Sequence, residues 1–440
     1  MTNKKYEFTK THSFHGEFWH NQDDNKGRFS AKIEYSSYDG LTLDYCISDS
    51  DSPTQCERLY GILNTGTLCT LIGPFDFSQG RMHLGKARIL TGLHPFSMIF
   101  FDGFYDENKS IEYCDLSLNG LQEFMHPQGL INRAKHQWEP IFSCKGTDWQ
   151  LDVINNASFT PLGNGLMNLL DCTNKQTLAA LSNFLSDINK NNPNSHFMIR
   201  KKLLYFFRYK NSTLNKVKDH INQIWNISGL LSILLNKPII PDELYFKFKD
   251  SKTKTPCLFT ISYEQRTIDL ALKEIHHHSL PVNRRQVNLE KIFTNWFEIA
   301  DNYLPLTVTY QYETGFRTLP QAHSDIILFA TQLEAINLTL NGKPNEKYIN
   351  PINEYASQQL KKDLEEIFID INDESLGSNI ATLRNELAHV DRKKILMKKM
   401  TLDDYIRIGT YLKIIITSHL LSKLGVEKEQ VETYQSRVAP

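Results

Sequence analysis

Gly27-Arg28-Phe29-Ser30-Ala31-Lys32-Ile33-Glu34-Tyr35 is the stretch that decides the fold of the first third of the chain. Its apolar side chains alternate with polar ones, which is the period of a strand with one buried face. Tyr38-Asp39-Gly40 follows closely and is a turn signal. The stretch therefore predicts a strand that ends in a turn.

Short strands of the same kind are predicted along the rest of the first 155 residues. Strand-like apolar runs occur at 68–72, 87–91, 97–101 and 111–118. Glycine, proline and aspartate separate these runs, and many short strands with such punctuation are typical of a β-sandwich or barrel. We therefore predict that residues 1–155 form a β-rich N-terminal domain that resembles a sandwich or barrel.

The middle of the chain, residues 156–288, has a mixed pattern. Apolar residues recur every three or four positions at 177–188 and again through 197–235, which predicts helices. The segments 243–248 and 257–263 have the pattern of a strand pair between helices. We expect a mixed, mostly helical middle region.

From residue 289 to residue 440 the periodicity is almost wholly helical. Gly342-Lys343-Pro344 would end one of these helices, because glycine caps a helix and proline cannot continue one. The predicted helices cover 289–302, 324–340, 352–368, 380–390 and 401–424. The chain as a whole is predicted to be α+β, with an all-α helical bundle at its C-terminal end.

Composition limits the classes of function. A chain of 440 residues with 40% apolar and 11% aromatic content can bury a large core and is expected to form two or three domains. The formal net charge of −1 argues against a general polyanion binder, since such proteins carry a marked basic excess. Any contact with nucleic acid must come from a local basic patch.

Cysteine usage and apolar runs indicate the compartment. The seven cysteines are scattered, odd in number and without a CxxC pair, which favours reduced thiols over disulfides or a zinc ribbon. The chain shows neither a signal-peptide pattern nor a run of roughly 18 apolar residues that could span a bilayer. We expect a soluble cytoplasmic protein without membrane contact.

Arg384-Asn385-Glu386-Leu387-Ala388-His389 is the segment with the clearest chemical potential. Within a helix, Asn385 and His389 would lie one turn apart on one face, so the amide could orient the imidazole. The competing interpretation is an ordinary amphipathic helix. In that case Leu383, Leu387 and Val390 would face the core, and the charged side chains of the hexad would be solvated.

The residue types of the hexad suit phosphodiester cleavage. RNA cleavage without a metal needs a base for the ribose 2′-OH, an acid for the leaving 5′-oxygen and a cation for the phosphorane. His389 can serve as base or acid near neutral pH, and Arg384 can grip phosphate oxygens. One copy supplies one titrating group, so the hypothesis predicts a homodimer with two copies around one phosphate.

Two basic segments are further candidates for RNA contact. The first follows the hexad and contains Arg392, Lys393, Lys394, Lys398 and Lys399; it could guide RNA, or it could be a solvated helix end. The second spans 200–210 and interleaves bases with aromatics. It includes Arg200, Lys201 and Lys202 and could stack single-stranded RNA, or it could be an amphipathic helix with buried aromatics.

No metal or cofactor is expected. His276-His277-His278 is the most metal-like cluster, but three consecutive histidines cannot all face one ion in regular structure. No cysteine nearby completes a tetrahedral set.

The order of these features resembles a known family. Arg-Asn-x-x-x-His late in a C-terminal bundle, behind a helix with Leu333-Glu334-Ala335, is similar to the signature of HEPN ribonucleases. Phe14-His15-Gly16-Glu17-Phe18-Trp19, followed by Gly27-Arg28-Phe29 and strands, resembles the N-terminal domain of ApeA-type proteins, which carry such a bundle.

The resemblance implies a metal-independent endoribonuclease of bacterial anti-phage defence. Such an enzyme stays quiet until infection, when a trigger such as a phage protein activates it. It then cleaves host RNA to 2′,3′-cyclic phosphate ends and so limits phage spread by abortive infection. The N-terminal domain would be the sensor or repressor, and the exposed anticodon loop makes tRNA a sensible substrate.

The resemblance also implies roles for residues. Arg384 would be the phosphate-binding cation, His389 the acid or base and Asn385 its orienting neighbour. Glu334 would be a supporting polar group, unless it is only an exposed helical glutamate. The alternative function is a non-catalytic dimeric binding or sensor protein in which the bundle is a scaffold.

Overall fold

The computed structural model describes residues 5–21, 27–48, 55–76, 80–84, 88–106, 108–125, 142–163, 171–194, 197–214 and 216–440. Strands dominate its first half and helices its second half, so the α+β prediction is confirmed. The strands are β1 His12–Trp19, β2 Phe29–Ser36, β3 Gly40–Ser48, β4 Gln55–Leu63, β5 Leu68–Asp76, β6 Arg81–Leu84, β7 Arg88–Phe96, β8 Met98–Phe101, β9 Ile111–Leu118, β10 Phe142–Lys145, β11 Trp149–Gly163, β12 Phe197–Asn211, β13 Pro241–Phe248 and β14 Thr255–Phe259. The helices are α1 Leu121–Met125, α2 Lys175–Asn191, α3 Val217–Leu235, α4 Gln265–Leu272, α5 Leu289–Ile299, α6 Leu304–Gln311, α7 Leu319–Thr339, α8 Ile349–Tyr355, α9 Gln358–Glu366, α10 Leu376–Ala388, α11 Leu402–Lys423 and α12 Lys428–Val438.

The N-terminal strands close into a ring. Each neighbouring pair in the order β8-β5-β4-β1-β2-β3-β7 is antiparallel and hydrogen-bonded. Only Ser97 separates β7 from β8 along the chain, so the two ends of this order belong to one bent segment. The alternation in β2 buries Phe29, Ala31, Ile33 and Tyr35. The predicted barrel-like N-terminal region is therefore present.

The sheet continues beyond the ring. β14 pairs with β8, and β13, β9, β12, β11 and β10 follow in that order. The long strand β11 crosses position 155, so strands of the middle region extend the N-terminal sheet. The division at 155 and 288 stays a prediction.

One segment predicted to be helical is a strand. Residues 197–211 form β12, and only the second part of the predicted helix at 197–235 is helical, as α3. β12 lies between β11 and β9, whose backbone groups supply its hydrogen bonds. Adjacent aromatic residues are buried here, and such residues favour strands. The interpretation of 200–210 as an amphipathic helix is therefore wrong.

The C-terminal helices form the predicted bundle with different boundaries. The predicted helix at 352–368 is interrupted at Ala356-Ser357, where α8 ends and α9 begins with a Ser357 cap. α6 and α12 were not predicted. α11 packs along α7 and buries Leu412, Ile415 and Ile416. Among the described residues, no helix is both long and apolar enough to cross a membrane.

The bundle and the sheet share one core. The Tyr434 hydroxyl on α12 donates to the Ile233 carbonyl of α3 at 3.0 Å. α3 also packs against α6, where Gly229 lies directly against the Thr307 side chain. On the sheet side, the Phe207 ring lies 5.7 Å from that of Phe293 on α5. This packing leaves the far end of α10 at the surface.

Candidate functional site

The hexad lies at the C-terminal end of α10. The helix ends at Ala388, two residues before the predicted end, and His389 is the capping residue in an extended conformation. The His389 N–H still donates to the Asn385 carbonyl at 3.1 Å. The exposed imidazole therefore projects from the exit of the helix and not from its side, which corrects the predicted helical geometry.

Arg384 is half-buried in the last full turn, where α10 packs on α7. Its Nη1 donates to Asn385 Oδ1 at 3.3 Å. Among the described residues, its buried Nε has no hydrogen-bond partner. The predicted bond between the Asn385 amide and the imidazole is also absent from the described part of the chain. In this structure Asn385 therefore contacts the arginine, whose guanidinium keeps donors for an anion.

Glu334 on α7 lies close to Arg384. Lys347 Nζ donates to its carboxylate at 2.8 Å, and the buried Tyr348 hydroxyl donates to the same oxygen. Burial raises the pKa of the Glu334 carboxyl, whereas the bonds from Lys347 and Tyr348 lower it. The charges of Lys347 and Arg384 act in the same direction, so the pKa is below its usual value. Glu334 is thus a paired, partly buried carboxylate and not an exposed helical glutamate.

The amphipathic-helix interpretation is wrong at two positions of the segment. Glu386 is only 2% exposed, whereas it was expected in solvent. Val390 is 98% exposed, whereas it was expected in the core. Leu383 is buried and Leu387 is partly buried, as that interpretation required.

Sequence reasoning missed Lys347, Tyr348 and the role of Glu386. Lys347 and Tyr348 come directly after a 3-10 turn at Pro344–Glu346, which brings the chain back along α7. A Lys-Tyr pair behind a helix stop carries no specific signal. The burial of Glu386 depends on the fold of the segment behind α10, which no local pattern predicts.

The basic segment 392–399 divides into two groups. Lys394 donates to the carbonyls of Glu386 and His389, and Lys399 donates to the Ile371 carbonyl at 2.5 Å. Arg392, Lys393 and Lys398 have exposed side chains in the non-helical segment between α10 and α11. The solvated-helix-end interpretation is therefore wrong in its helical part, and RNA contact by this segment stays a prediction.

The second basic segment is part of β12. Its aromatic residues Tyr205, Phe206, Phe207 and Tyr209 are buried, so they offer no stacking surface for RNA. Arg200, Lys201 and Lys202 belong to the strand, but their side chains lie outside the described part of the structure. RNA contact by these three residues stays a prediction.

Only the last two residues of the hexad, Ala388 and His389, are exposed. A cavity of about 680 Å³ lies on the barrel strands beside His15 and Lys32. Another, of about 230 Å³, lies between α7 and α11 around Arg317 and Lys413. Neither of these two cavities is lined by hexad residues.

Two family models match the chain. The model of ApeA N-terminal domain 1 matches residues 13–296, which is more than half of the chain. The Apea-like HEPN model matches residues 315–430 and includes the hexad. The chain belongs to the ApeA family of HEPN proteins. Comparison with curated proteins and with solved structures gave no significant match.

Membership of the ApeA family explains the two halves of the structure. The N-terminal match spans the barrel, the sheet extension and most of α5, and the HEPN match spans α7 to α11. HEPN domains are generally ribonucleases that bind RNA and dimerise. The match therefore supports a nuclease-type role in anti-phage defence.

Proposed function

We propose that this ApeA-family protein is a metal-independent endoribonuclease whose active site is built from Arg384, Asn385 and His389. One observation carries the proposal. Arg384, whose guanidinium keeps donors for an anion, and the exposed His389 lie five residues apart, about one and a half turns, at the C-terminal end of α10 in the HEPN domain.

The chemistry follows from these two groups. A neutral imidazole removes the proton of the ribose 2′-OH, whose oxygen attacks the neighbouring phosphorus. Arg384 stabilises the charge that builds on the phosphorane oxygens. The 5′-oxygen then leaves with a proton from an imidazolium, which gives a 2′,3′-cyclic phosphate and a 5′-hydroxyl. Asn385 holds the guanidinium through the bond at 3.3 Å.

A second copy of the chain would complete the site. The reaction needs a base and an acid, and each hexad has one histidine. HEPN domains typically dimerise, and a dimer would bring two histidines to one site. We therefore propose a homodimer with two hexads around one phosphate.

Arg392, Lys393 and Lys398 would guide RNA to this site, since exposed cations attract the phosphate backbone. A dimer cleft would accept a compact loop such as the tRNA anticodon loop. Arg200, Lys201 and Lys202 on β12 remain further candidates for RNA contact.

The biological role proposed is abortive infection in the bacterial cytoplasm. The N-terminal region would hold the nuclease inactive until a trigger such as a phage protein binds it. Cleavage of host RNA would then stop translation before the phage completes its cycle.

Incubation of the purified full chain with total cellular RNA, with and without EDTA, tests the proposal. Fragments with cyclic-phosphate ends should form in both conditions. His389→Ala and Arg384→Ala should each lower the rate by about 10²- to 10⁴-fold, because each removes a group that acts in the transition state. Both variants should keep their fold and dimer mass.

A growth assay on overproduction accompanies the cleavage assay, because a latent enzyme would leave purified RNA intact. The wild-type chain should arrest growth, and the two variants should not. Equal RNA cleavage by His389→Ala and the wild type would contradict the site assignment. Intact RNA together with normal growth would favour the non-catalytic binding protein.

A further inference from the structure

The most unusual group of the hexad is the buried carboxylate of Glu386. It accepts three consecutive backbone N–H groups, from Ile395 at 2.7 Å, Leu396 at 3.1 Å and Met397 at 3.0 Å. Bonds from N–H groups to an ionised carboxylate are strong, and a buried charge requires such partners. Glu386 therefore ties the chain behind the hexad to α10.

The position of this carboxylate is unfavourable for the helix alone. Glu386 lies in the last turn of α10, where the unpaired carbonyls form the negative end of the helix dipole. Lys394 compensates, because its ammonium donates to the carbonyls of Glu386 and His389. A cation on the last carbonyls is a stabilising helix cap. Both side chains thus fold the segment 390–397 back onto the end of α10.

This fold-back fixes the backbone of His389. Its N–H is bound by the Asn385 carbonyl at 3.1 Å, and its own carbonyl accepts from Lys394 at 2.6 Å. The residue has φ −120° and ψ 128°, so the chain leaves the helix there. The imidazole is exposed, so these backbone bonds determine the point from which the side chain extends.

We propose that Glu386 and Lys394 are positioning residues of the nuclease site, which hold the backbone of His389 and so set the place from which its imidazole extends beside Arg384. The inference rests on the proposed function. It assigns Lys394 to the geometry of the site and not to RNA binding. Loss of either side chain should lower turnover and leave the binding of RNA almost unchanged.

The test compares four variants of the full chain. Lys394→Met removes the cation, Lys394→Arg keeps it, and Glu386→Gln keeps the shape but replaces one carboxylate oxygen with a donor. Lys362→Met is the matched control, since Lys362 is an exposed lysine of α9 that pairs only with Glu366 at 3.6 Å among the described residues.

Cleavage kinetics should separate position from binding. In Lys394→Met and Glu386→Gln the kcat should fall about 10- to 100-fold, as expected for a displaced catalytic group, with KM within about twofold. Lys394→Arg should recover most of the kcat. Lys362→Met should match the wild type in both constants.

A second readout does not need an activated enzyme. In protein with ¹³C-labelled histidine, the His389 ring signal is identified by its absence from His389→Ala. The signal should shift and broaden in Lys394→Met and Glu386→Gln, and it should return in Lys394→Arg. A purely structural clamp would lower the melting temperature and leave the His389 signal of the folded protein unchanged.

The outcomes distinguish the two proposals. If His389→Ala is inactive but Lys394→Met keeps the wild-type kcat and His389 signal, the positioning role is wrong and the nuclease site stands. A raised KM in Lys394→Met with an unchanged His389 signal would show that Lys394 binds RNA and does not position His389. If His389→Ala cleaves normally, the nuclease site itself is wrong.

Discussion

Arg208 on β12 and Arg384 on α10 are arginines in opposite situations. The Arg208 guanidinium donates to both oxygens of Asp115, at 2.7 and 2.9 Å, and lies 3.9 Å from the ring centre of Tyr113. Lys254 adds a second cation to Asp115, which is 1% exposed. Arg384, by contrast, has one bond at 3.3 Å to a neighbouring amide and a buried Nε without a partner among the described residues.

The difference separates a structural cluster from a candidate functional one. A buried charge is tolerated when its partners satisfy it, and the Asp115 cluster meets that condition within the sheet. Arg384 leaves its buried Nε without a partner among the described residues, and an unpaired buried polar group is costly unless a ligand satisfies it.

Among these changes, removal of the Asp115 charge should lower the stability of the protein most. Asp115→Asn leaves Arg208 and Lys254 without their counter-ion and should lower the free energy of unfolding by about 3–5 kcal/mol. Urea unfolding followed by circular dichroism measures the loss, with Asp187→Asn on the exposed face of α2 as the control. Arg384→Ala should cost less than about 1 kcal/mol. Equal losses of unfolding free energy in Asp115→Asn and Arg384→Ala would contradict the distinction between the structural arginine Arg208 and the functional candidate Arg384.

His419 is a buried polar group inside the bundle. It is 4% exposed on α11, and its Nδ1 meets the Tyr303 hydroxyl at 3.1 Å, with the Tyr355 ring beside it. Burial lowers the pKa of His419 to about 4, and the charge of Lys423 acts in the same direction.

The unfolded chain should bind a proton at His419 near pH 6.5, whereas the folded chain binds it only near pH 4. Stability should therefore fall as pH drops from about 6.5 to about 4, by roughly 2–3 kcal/mol. Urea unfolding of the wild type and of His419→Gln at several pH values measures this. An unchanged acid dependence in His419→Gln would show that His419 is not the responsible group.

Glu334 combines features of both arginine sites. It is partly buried and it is paired, as Asp115 is, but it lies close to Arg384. Glu334→Gln keeps the shape and removes the charge that interacts with Lys347 and Arg384. Cleavage should fall about fivefold, the equivalent of ~1 kcal/mol in the barrier. Glu366→Gln on the exposed face of α9 is the control. A rate equal to that of the wild type would leave Glu334 a purely structural residue.

The smallest effect is expected from single exposed cations. Lys393→Gln should weaken RNA binding by about two- to threefold and reduce the slope of log affinity against log salt by about 1. Fluorescence anisotropy in inactive His389→Ala measures both quantities. If the salt slope of Lys393→Gln equals that of the background protein, the exposed part of the segment 392–399 does not contact phosphate.

Much of the fold was predictable because its patterns are local. The alternation at 29–35 predicted β2, and the run at 111–118 matched β9. The helix predicted at 197–211 was wrong because adjacent aromatic residues obscure the alternating pattern of a strand. Pairing with β11 and β9 makes this segment a strand. The end of α10 was predicted two residues too late, because the segment directly behind it folds back and Lys394 donates to the carbonyls of Glu386 and His389.

The candidate site divides in the same way. The spacing of Arg384 and His389 within one segment identified the pair, because neighbours in sequence remain neighbours in space. Lys347 and Tyr348 are more than thirty positions from Arg384, and only the packing of α7 on α10 and the turn after α7 bring them near.

The sequence alone determined the α+β order of the chain, the strand with the alternating pattern and the chemical types in the hexad. The tertiary structure alone decided that one bent segment closes the barrel at Ser97, that Glu386 is buried, and that His389 lies at a helix exit. Short-range periodicity specifies which face of an element is apolar. Hydrogen-bond partners from distant segments decide where each element ends and which polar groups remain open to a ligand.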